Sequence, residues 1–475
     1  MSTSKNDQTA RSLPPSHTFR SKIVHFWHRG AAWFLGPVLV GLAAVGLAMG
    51  SEYANKLNRL VIGVAPWSPL LFMPAGFALL AYCCDRFFPG SQGSGIPQTI
   101  AAMDVPGDKK QSKLLSARIA IGKIVSTLGG LCIGASIGRE GPTVQIGASI
   151  MHMFCGRGPF QTAATRRILI LAGGAAGIAA AFNTPLAGIM FAIEELSKKH
   201  VFNANSSTLV TVIVSGLISL SLLGNYTYFG SSGAFLDWHT GLTAILLCGV
   251  VGGSAGGVFS RLLIASSFHL PPRVAALTKD RRVLYAALCG LAVAALGVCT
   301  NGLIFGTGYE PTRLTLENSG VLPWYFGLAK LLATLATSMS GIVGGIFAPS
   351  LAVGAGLGDN LADLFPMLAT HSALVLLVMA SYLSGVTRAP VTSFIIMMEM
   401  TDSHQMLLPL MAASVIASGA SKLICPTALY HALSKKFIPL PERFHAAEKP
   451  VQAEPSDDYA GASTDKGSEH FEDKK

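Results

Sequence analysis

Residues Gly134–Ala148 read GASIGREGPTVQIGA and place two adjacent charges, Arg139 and Glu140, inside a long apolar region. Charged side chains at membrane depth are costly, so they usually face a cavity and mark a pathway. Glycines flank the pair, and Pro142 suits the first turn of a helix, where its missing N–H has no intrahelical partner anyway. We therefore expect a sharp glycine bend that opens a helix at about Gly141.

The start of such a helix favours anions, because its free N–H groups and the positive end of its dipole attract negative charge. Glu140 brings a carboxylate to that start. We expect this carboxylate to compete with a free anion for the same donors. The simpler alternative is a salt bridge between Arg139 and a neighbour at a helix end.

The composition is that of an all-α polytopic membrane protein. Of the 475 residues, 51% are hydrophobic and only 13% are charged, which is too apolar for a soluble domain of this length. Many apolar segments are short or interrupted by glycine, and interrupted helices are tolerated at membrane depth only where they line a cavity or are buried in protein. These features favour transport. The segments lie at about 34–50, 68–82, 114–137, 168–193, 207–224, 241–268, 283–306, 324–340, 343–357, 373–385, 390–399 and 405–424.

Both ends of the chain are predicted to lie in the cytoplasm. Residues 1–30 are interpreted as a polar segment with an interfacial helix, and residues 438–475 as a disordered tail with few aliphatic side chains. Residues 31–437 then form the membrane domain. The net charge of +10 is concentrated in the termini and short loops, which predicts that those loops are cytoplasmic. We find no cleavable signal peptide.

A weak internal repeat divides the membrane domain. Pro142 and Pro349 are each followed five residues on by Gly-Ala. Pro185 opens PLAGIMFAIE and Pro390 opens PVTSFIIMME, and both stretches end in glutamate. The two matches are offset by 207 and 205 residues, so they share one register. Duplicated halves with broken helices that meet at a midplane site are a transporter architecture.

Four short stretches are predicted to be helix starts aimed at one place. Ser94 in GSGIPQ offers a hydroxyl, Glu140 lies in the second stretch, GGIFAPS at 344–350 offers backbone N–H groups, and Tyr430 offers a phenol. Neutral donors of this kind suit a partly dehydrated monovalent anion, which a full counter-charge would hold too tightly. In isolation, Ser94 is more typical of a helix cap and Tyr430 more typical of an interfacial aromatic residue.

A second charged pair, Glu194 and Glu195, closes the apolar helix predicted to begin at Pro185. Adjacent helical residues point about 100° apart, so at most one of the two faces a pathway squarely. A carboxylate at a helix C-terminus is opposed by the dipole, which suits a group that carries a proton. A solvated pair beside Lys198 and Lys199 explains the same residues.

The chain resembles the CLC family of chloride channels and chloride/proton antiporters, over about residues 31–437. The resemblance implies two inverted-topology repeats of tilted and partial helices, at about 31–225 and 238–437. It also implies a homodimer with one pathway per subunit, placed in the bacterial inner (plasma) membrane. The motifs that carry it are GSGIP at 93–97, GREGP at 138–142, GIFAP at 345–349 and Tyr430.

The resemblance implies that Ser94 and Tyr430 hold a central chloride. Two backbone N–H groups, those of Ile346 and Phe347, would complete its ligands. Nitrate-preferring relatives carry proline at the position of Ser94, so chloride is the expected anion. GREGP and Ser94 together argue against the fluoride-exporting branch.

The resemblance also implies two carboxylate roles. Glu140 would be the external gating glutamate, and Glu195 the internal proton glutamate found in antiporters and replaced in channels. Gln98 departs from the family's frequent glutamate and is expected to alter a structural contact only. No paired nucleotide-sensing domains follow the membrane domain, so regulation by adenine nucleotides is not expected.

The favoured function is a secondary chloride/proton antiporter, and the nearest alternative is a passive voltage- or pH-gated chloride channel of the same fold. An intramembrane serine hydrolase at Ser94 is a different class. It would need a basic partner at membrane depth, and the histidines lie mostly at segment ends or in loops. The eight cysteines form no C-x-x-C pair. We therefore expect no enzyme activity, no metal and no cofactor.

Overall fold

A computed structural model describes residues 30–105, 107–156, 160–197, 206–224, 228–230, 233–236, 238–317 and 321–438. This part of the chain contains 19 α-helices and, apart from two isolated bridges, no β-structure. Five segments are long and apolar enough to cross a membrane, judged by length and composition. The helices are α1 Gly36–Val64, α2 Pro69–Arg86, α3 Ile96–Asp104, α4 Asp108–Gln111, α5 Ala117–Cys132, α6 Glu140–His152, α7 Ala163–Phe182, α8 Pro185–Phe191, α9 Ser206–Leu223, α10 Trp238–Phe268, α11 Pro272–Asp280, α12 Arg282–Cys299, α13 Tyr309–Leu316, α14 Phe326–Met339, α15 Phe347–Leu364, α16 His371–Thr387, α17 Pro390–Thr401, α18 Leu407–Ile424 and α19 Leu429–Ser434.

The predicted all-α architecture is confirmed, and most predicted apolar segments correspond to one helix each. The segment predicted at 168–193 is instead two helices, because Asn183 has a left-handed backbone (φ 58°) that ends α7. Pro185 then starts α8, which continues as a π-helical turn at Ala192–Leu196. The predicted interfacial helix lies almost wholly outside the described residues, and so does the tail from 439 onward.

Two helices are buried around their whole circumference. Every residue of α6 is buried, and so is every residue of α16 after the first. A helix that is apolar on all sides belongs in the interior of a protein rather than at its surface. The two helices therefore place the glycine-rich start of α6, with Glu140, deep inside the molecule.

The two halves exchange equivalent contacts across an approximate two-fold axis. Glu194, in the π-helical turn after α8, accepts hydrogen bonds at the start of α17 from the N–H groups of Val391 (3.0 Å) and Thr392 (2.7 Å). Glu399, near the end of α17, accepts a hydrogen bond at the start of α8 from the N–H of Ala187 (2.9 Å). A contact that is returned in this way is the signature of two-fold symmetry. It is the pattern that inverted repeats produce.

Candidate functional site

Three of the four predicted helix starts are tied together by backbone hydrogen bonds. Gly93 donates to the carbonyl of Ile342 (3.1 Å) and accepts from the N–H of Gly344 (3.2 Å). Gly138 and Gly345, which occupy equivalent positions in the two halves, exchange N–H···O bonds of 2.7 and 2.8 Å. The loops before α3, α6 and α15 therefore meet at one point.

This meeting requires glycine at two positions. A Cβ at Gly141 would overlap the hydroxyl of Ser94 and lie 3.2 Å from the Cα of Gly345. Gly95 has φ 105°, a backbone conformation open to glycine at little cost, and its Cβ would lie 2.9 Å from the carbonyl oxygen of Gly141. Larger residues would push the helix starts apart and widen the space between them.

Glu140 is fully buried and lies across the start of the opposite helix. Its Oε2 accepts a long hydrogen bond, 3.4 Å, from the N–H of Ala348 in the first turn of α15. Its Oε1 is buried without a hydrogen-bond partner among the described residues. The carboxylate thus sits where a helix start attracts an anion. This is the placement expected of a side chain that competes with an anion.

The start of α15 supplies further donors. Ile346 is the residue before the helix and Phe347 is its first residue, so neither N–H has an intrahelical partner. The ring of Phe347 lies parallel to that of Tyr430, at 6.1 Å between centroids and 9° between planes. This stacking places the phenol of Tyr430 beside these N–H groups.

Ser94 and Tyr430 lie on the same cavity. The oxygen of each hydroxyl is buried and has no hydrogen-bond partner within the described part of the chain. The phenol also lies close to the Ser94 hydroxyl and within electrostatic range of Glu195 and Glu140. Buried hydroxyls are normally hydrogen-bonded, so two unsatisfied ones at one place indicate space for a ligand that accepts hydrogen bonds.

Glu194 and Glu195 take different positions, as adjacent helical residues must. Glu194 is half-buried, and its carboxylate also accepts from the Thr392 hydroxyl (2.9 Å), so it caps α17. Glu195 is fully buried and interacts electrostatically with Tyr430. Its backbone carbonyl is 3.2 Å from Nε2 of His431. The pair is therefore not a solvated one.

A cavity of about 460 Å³, which we call the vestibule, leads to these groups. Ser94, Ile346 and Tyr430 line its buried end, and Arg282 and Lys436 line it nearer the surface. The vestibule is thus continuous between the unsatisfied hydroxyls and two basic side chains. An anion entering from that side would meet positive charge first and neutral donors afterwards.

The guanidinium of Arg139 lies over the ring of Tyr228, with its central carbon 5.6 Å from the ring centroid. Arg139 is 5% exposed. The neighbouring ring of Phe182 meets Tyr228 edge-on at 6.1 Å. The guanidinium of Arg139 therefore packs against aromatic rings next to Glu140. The face of the Tyr228 ring stabilises this desolvated cation.

Two buried lysines escaped the sequence analysis. Lys123 donates to the carbonyls of Ser91 and Gly93 (2.7 Å each), directly before Ser94. Lys330 lies 207 residues later and donates to two loop carbonyls in the same way, 2.7 and 2.8 Å away. Two features of the sequence could have indicated them. Both lysines lie inside apolar segments, and they are separated by the same 207 residues as Pro142 and Pro349.

Gln98 has a structural role, as expected from its position. Its side-chain oxygen accepts from the N–H of Gly95 (3.2 Å), and its side-chain NH₂ donates to the carbonyl of Gln92. An ionised glutamate side chain at this position has no N–H or O–H group, so it could not donate the hydrogen bond to the Gln92 carbonyl. The amide therefore suits the loop that carries Ser94.

Comparison with known proteins gives a family match and relatives of similar length. A family model described as voltage gated chloride channel matches residues 76–422. The H(+)/Cl(-) exchange transporter ClcA of Cronobacter sakazakii is 30% identical over 445 residues, which cover 88% of this chain and 91% of that protein. ClcA of Yersinia pseudotuberculosis serotype IB is 28% identical over 431 residues, 86% and 87% of the two chains.

The fold is shared with a solved structure. A slow cyanobacterial Cl-/H+ antiporter superimposes with a TM-score of 0.72 at 24% identity, covering 92% of this chain and 100% of that chain. The likeness extends well beyond the motifs around the buried hydroxyls, because it covers 92% of this chain. The chain belongs to the voltage-gated chloride channel family, the CLC family that its sequence motifs resemble.

Proposed function

We propose that this protein is a secondary active transporter that exchanges chloride for protons across a membrane. The observation that carries the proposal is that two buried carboxylates, Glu140 and Glu195, lie within electrostatic range of one phenol, Tyr430, at the donor cluster. The curated relatives at 28–30% identity are named as H(+)/Cl(-) exchange transporters, which supports the same function here.

In the proposed mechanism, chloride occupies the space between Ser94, Tyr430 and the N–H groups of Ile346 and Phe347. All four are neutral donors, so the anion is held without a full counter-charge and can leave again. Chloride and the carboxylate of Glu140 compete for the start of α15. When Glu140 takes up a proton, it loses its attraction to that helix start and swings away. Chloride then passes.

The proton and the chloride enter from the same side of the protein but by different routes. The proton reaches Glu195 at the end of α8, whereas chloride enters through the vestibule. The proton then crosses to Glu140 past Tyr430, and transient water is the proposed carrier. Chloride and protons share the part of the pathway between Tyr430 and Glu140. Their movements therefore depend on each other. The mechanism uses no metal and no cofactor, and it involves no enzymatic reaction.

A passive chloride channel of the same fold is the second candidate, but Glu195 favours the antiporter. A channel needs no second buried carboxylate, and keeping one buried is costly. The neighbouring carboxylate of Glu194 has an evident structural role as a helix cap. Glu195 is fully buried next to the donor cluster, and the relatives are named as H(+)/Cl(-) exchange transporters, so we assign proton transfer to it.

We further propose that the protein is a homodimer in the bacterial inner membrane with both termini in the cytoplasm. The basic loops support this orientation. Each subunit would have its own pathway, because one chain brings all four helix starts together. In a covalently linked dimer with Glu140→Gln in one half, one normal and one altered pathway are expected. A change in both pathways at once would contradict independent pores.

The experiment that tests the proposed function uses purified protein in chloride-loaded vesicles. After dilution into low-chloride buffer, outward chloride movement should drive protons inward against their gradient, which a pH electrode records as alkalinisation outside. A protonophore should abolish the gradient. Chloride efflux with no proton movement would favour the channel.

A further inference from the structure

We propose that His431 is the group that takes up protons from the inner solution and passes them to Glu195. The inference rests on the proposed function and deepens it, because it names the residue at which the proton route begins. His431 directly follows Tyr430 in the sequence. The short helix α19 would therefore serve both ions.

One hydrogen bond joins His431 to the residue that it would supply. Its Nε2 lies 3.2 Å from the backbone carbonyl oxygen of Glu195, which is 236 residues earlier in the chain. A carbonyl oxygen can only accept, so Nε2 must carry the hydrogen, and the lone pair of the neutral ring is on Nδ1. The ring can therefore bind a further proton at Nδ1 and keep its contact with Glu195.

The faces of α19 keep the two ions apart. Tyr430 and Leu433, which are three residues apart, line the vestibule, whereas His431 does not. Residues three apart lie on one face of a helix, while adjacent residues point about 100° apart. His431 thus lies beside the chloride route and outside it, as the separate proton entrance of the proposed function requires.

His431 is more accessible than the carboxylate that it would supply. It is half-buried, whereas Glu195 is 0% exposed. Lys435 and Lys436 follow on the same segment and are exposed, and basic residues of this kind favour the cytoplasmic side. A proton from the inner solution can therefore reach the imidazole more readily than it can reach Glu195.

Histidine suits this step better than the other ionisable residues nearby. It is the residue type that ordinarily changes its charge between pH 5 and 8. Aspartate ordinarily stays ionised through that range, and lysine, arginine and tyrosine stay protonated. Glu194 is engaged at the start of α17. Among the described residues, the other ionisable side chains on the same segment and on the inner, C-terminal halves of α3, α10 and α16, the helices packed against α19, are Asp104, Arg261, Tyr382, Tyr430, Lys435 and Lys436.

The proton step is a reversible transfer between two bases. A proton from inner water binds the lone pair of Nδ1 and gives an imidazolium. This cation releases one of its two N–H protons to the carboxylate of Glu195 across a water molecule, and the ring returns to its neutral form. Glu195 then holds the proton as a neutral acid, and the reverse order of steps returns it to the inner solution.

The test compares two substitutions, with proton and chloride fluxes recorded together in vesicles that hold a chloride gradient. His431→Gln keeps an N–H donor for the Glu195 carbonyl but has no titratable nitrogen, whereas His431→Ala removes both. The proton flux should fall about tenfold or more in both variants, and the chloride flux should stay close to that of the wild type. The matched control is His269→Gln, since His269 is exposed just beyond α10 and does not line the vestibule. It should move as many protons per chloride as the wild type.

The pH dependence provides a second readout that a merely structural role would not move. As the pH is lowered, direct protonation of Glu195 by hydronium becomes faster, so the proton flux of His431→Gln should approach that of the wild type. The ratio of the two proton fluxes cancels the pH dependence of Glu140, which both proteins share. A ratio that stays constant between pH 5 and 8 would overturn the inference.

The chloride electrode shows whether a variant is folded. Wild-type proton flux in His431→Gln would overturn the inference, and if His431→Ala alone lost it, the imidazole would be only a hydrogen-bond donor to the turn that carries Glu195. Loss of chloride flux in both variants would also overturn it, because His431 would then support the chloride site.

The same recordings separate this inference from the proposed function. A wild-type protein that moves chloride without protons would contradict the antiporter before any variant is compared. A wild type that couples the two ions, together with an unaffected His431→Gln variant, would leave the antiporter standing and overturn the role of His431 alone.

Discussion

The carboxylate of Glu140 and the N–H of Ala348 are 3.4 Å apart, although they belong to different halves of the chain. One half thus provides the negative group and the other provides the helix start that attracts it. Glu140 is the first residue of α6, and Ala348 is the second residue of α15. The closed position of the proposed gate therefore joins the starts of two helices, one from each half.

Glu140→Gln should keep chloride flux and abolish its coupling to protons. The amide has the shape of the protonated acid but cannot release a proton, and it lacks the charge that holds the carboxylate at the helix start. Chloride and pH electrodes used together on vesicles measure both fluxes. The control is Glu52→Gln, because Glu52 is exposed on α1 and should keep wild-type coupling. Uphill proton pumping by Glu140→Gln would exclude this role.

Glu195→Gln should still transport chloride but should no longer move protons. The substitution keeps the size and the hydrogen-bonding capacity of the buried side chain, yet it removes the titratable group. The proton flux driven by a chloride gradient should fall to that of vesicles without protein. Unchanged coupling in this variant would make Glu195 a structural residue.

Glu194→Gln and Glu399→Gln should lower stability by similar amounts, because the two carboxylates cap equivalent helix starts, those of α17 and α8. A cap of this kind contributes about 1 kcal/mol. Thermal unfolding in detergent should show matched decreases in Tm. The number of protons moved per chloride should stay that of the wild type. Loss of proton transport in Glu399→Gln would show that the caps do more than stabilise the two helices.

Ser94 and Tyr430 should set anion choice and affinity. Tyr430→Ala should weaken chloride binding measured by calorimetry about tenfold, the effect of one hydrogen bond to an ion. Ser94→Pro should raise nitrate transport relative to chloride, because it removes the hydroxyl and leaves the backbone donors. Tyr382→Phe is the control, since Tyr382 is a buried phenol that does not line the vestibule. Normal binding and selectivity in both test variants would place the anion elsewhere.

The sequence could predict the fold class and the four helix starts because their signals are local. Glycine and proline mark the starts of α3, α6 and α15, and the charged pairs stand out in apolar surroundings. The register shared by Pro185 and Pro390 indicated the duplication. The start of α8 at Pro185 was predicted, whereas the end of α7 at Asn183 was not, because the apolar run continues through it and only the backbone conformation shows that end.

Other features depend on contacts between distant residues, which spacing alone does not reveal. The exchange of caps between Glu194 and Glu399 is visible only when α8 and α17 are placed together. The same is true of Lys123, whose carbonyl partners lie about 30 residues earlier in the chain. Helix α11 was missed because it carries Arg273 and Lys279 and none of its residues is buried, so its sequence lacks an apolar pattern.

The measurement that tests the central claim most directly is the reversal potential of the wild-type protein in planar bilayers, recorded while pH and chloride are varied independently. An antiporter that exchanges chloride for protons should shift its reversal potential with the pH gradient at fixed chloride, and with chloride at fixed pH. Glu195→Gln, measured in parallel, should respond to chloride alone. A wild-type reversal potential that follows chloride alone and ignores pH would contradict the antiporter and identify a passive chloride channel.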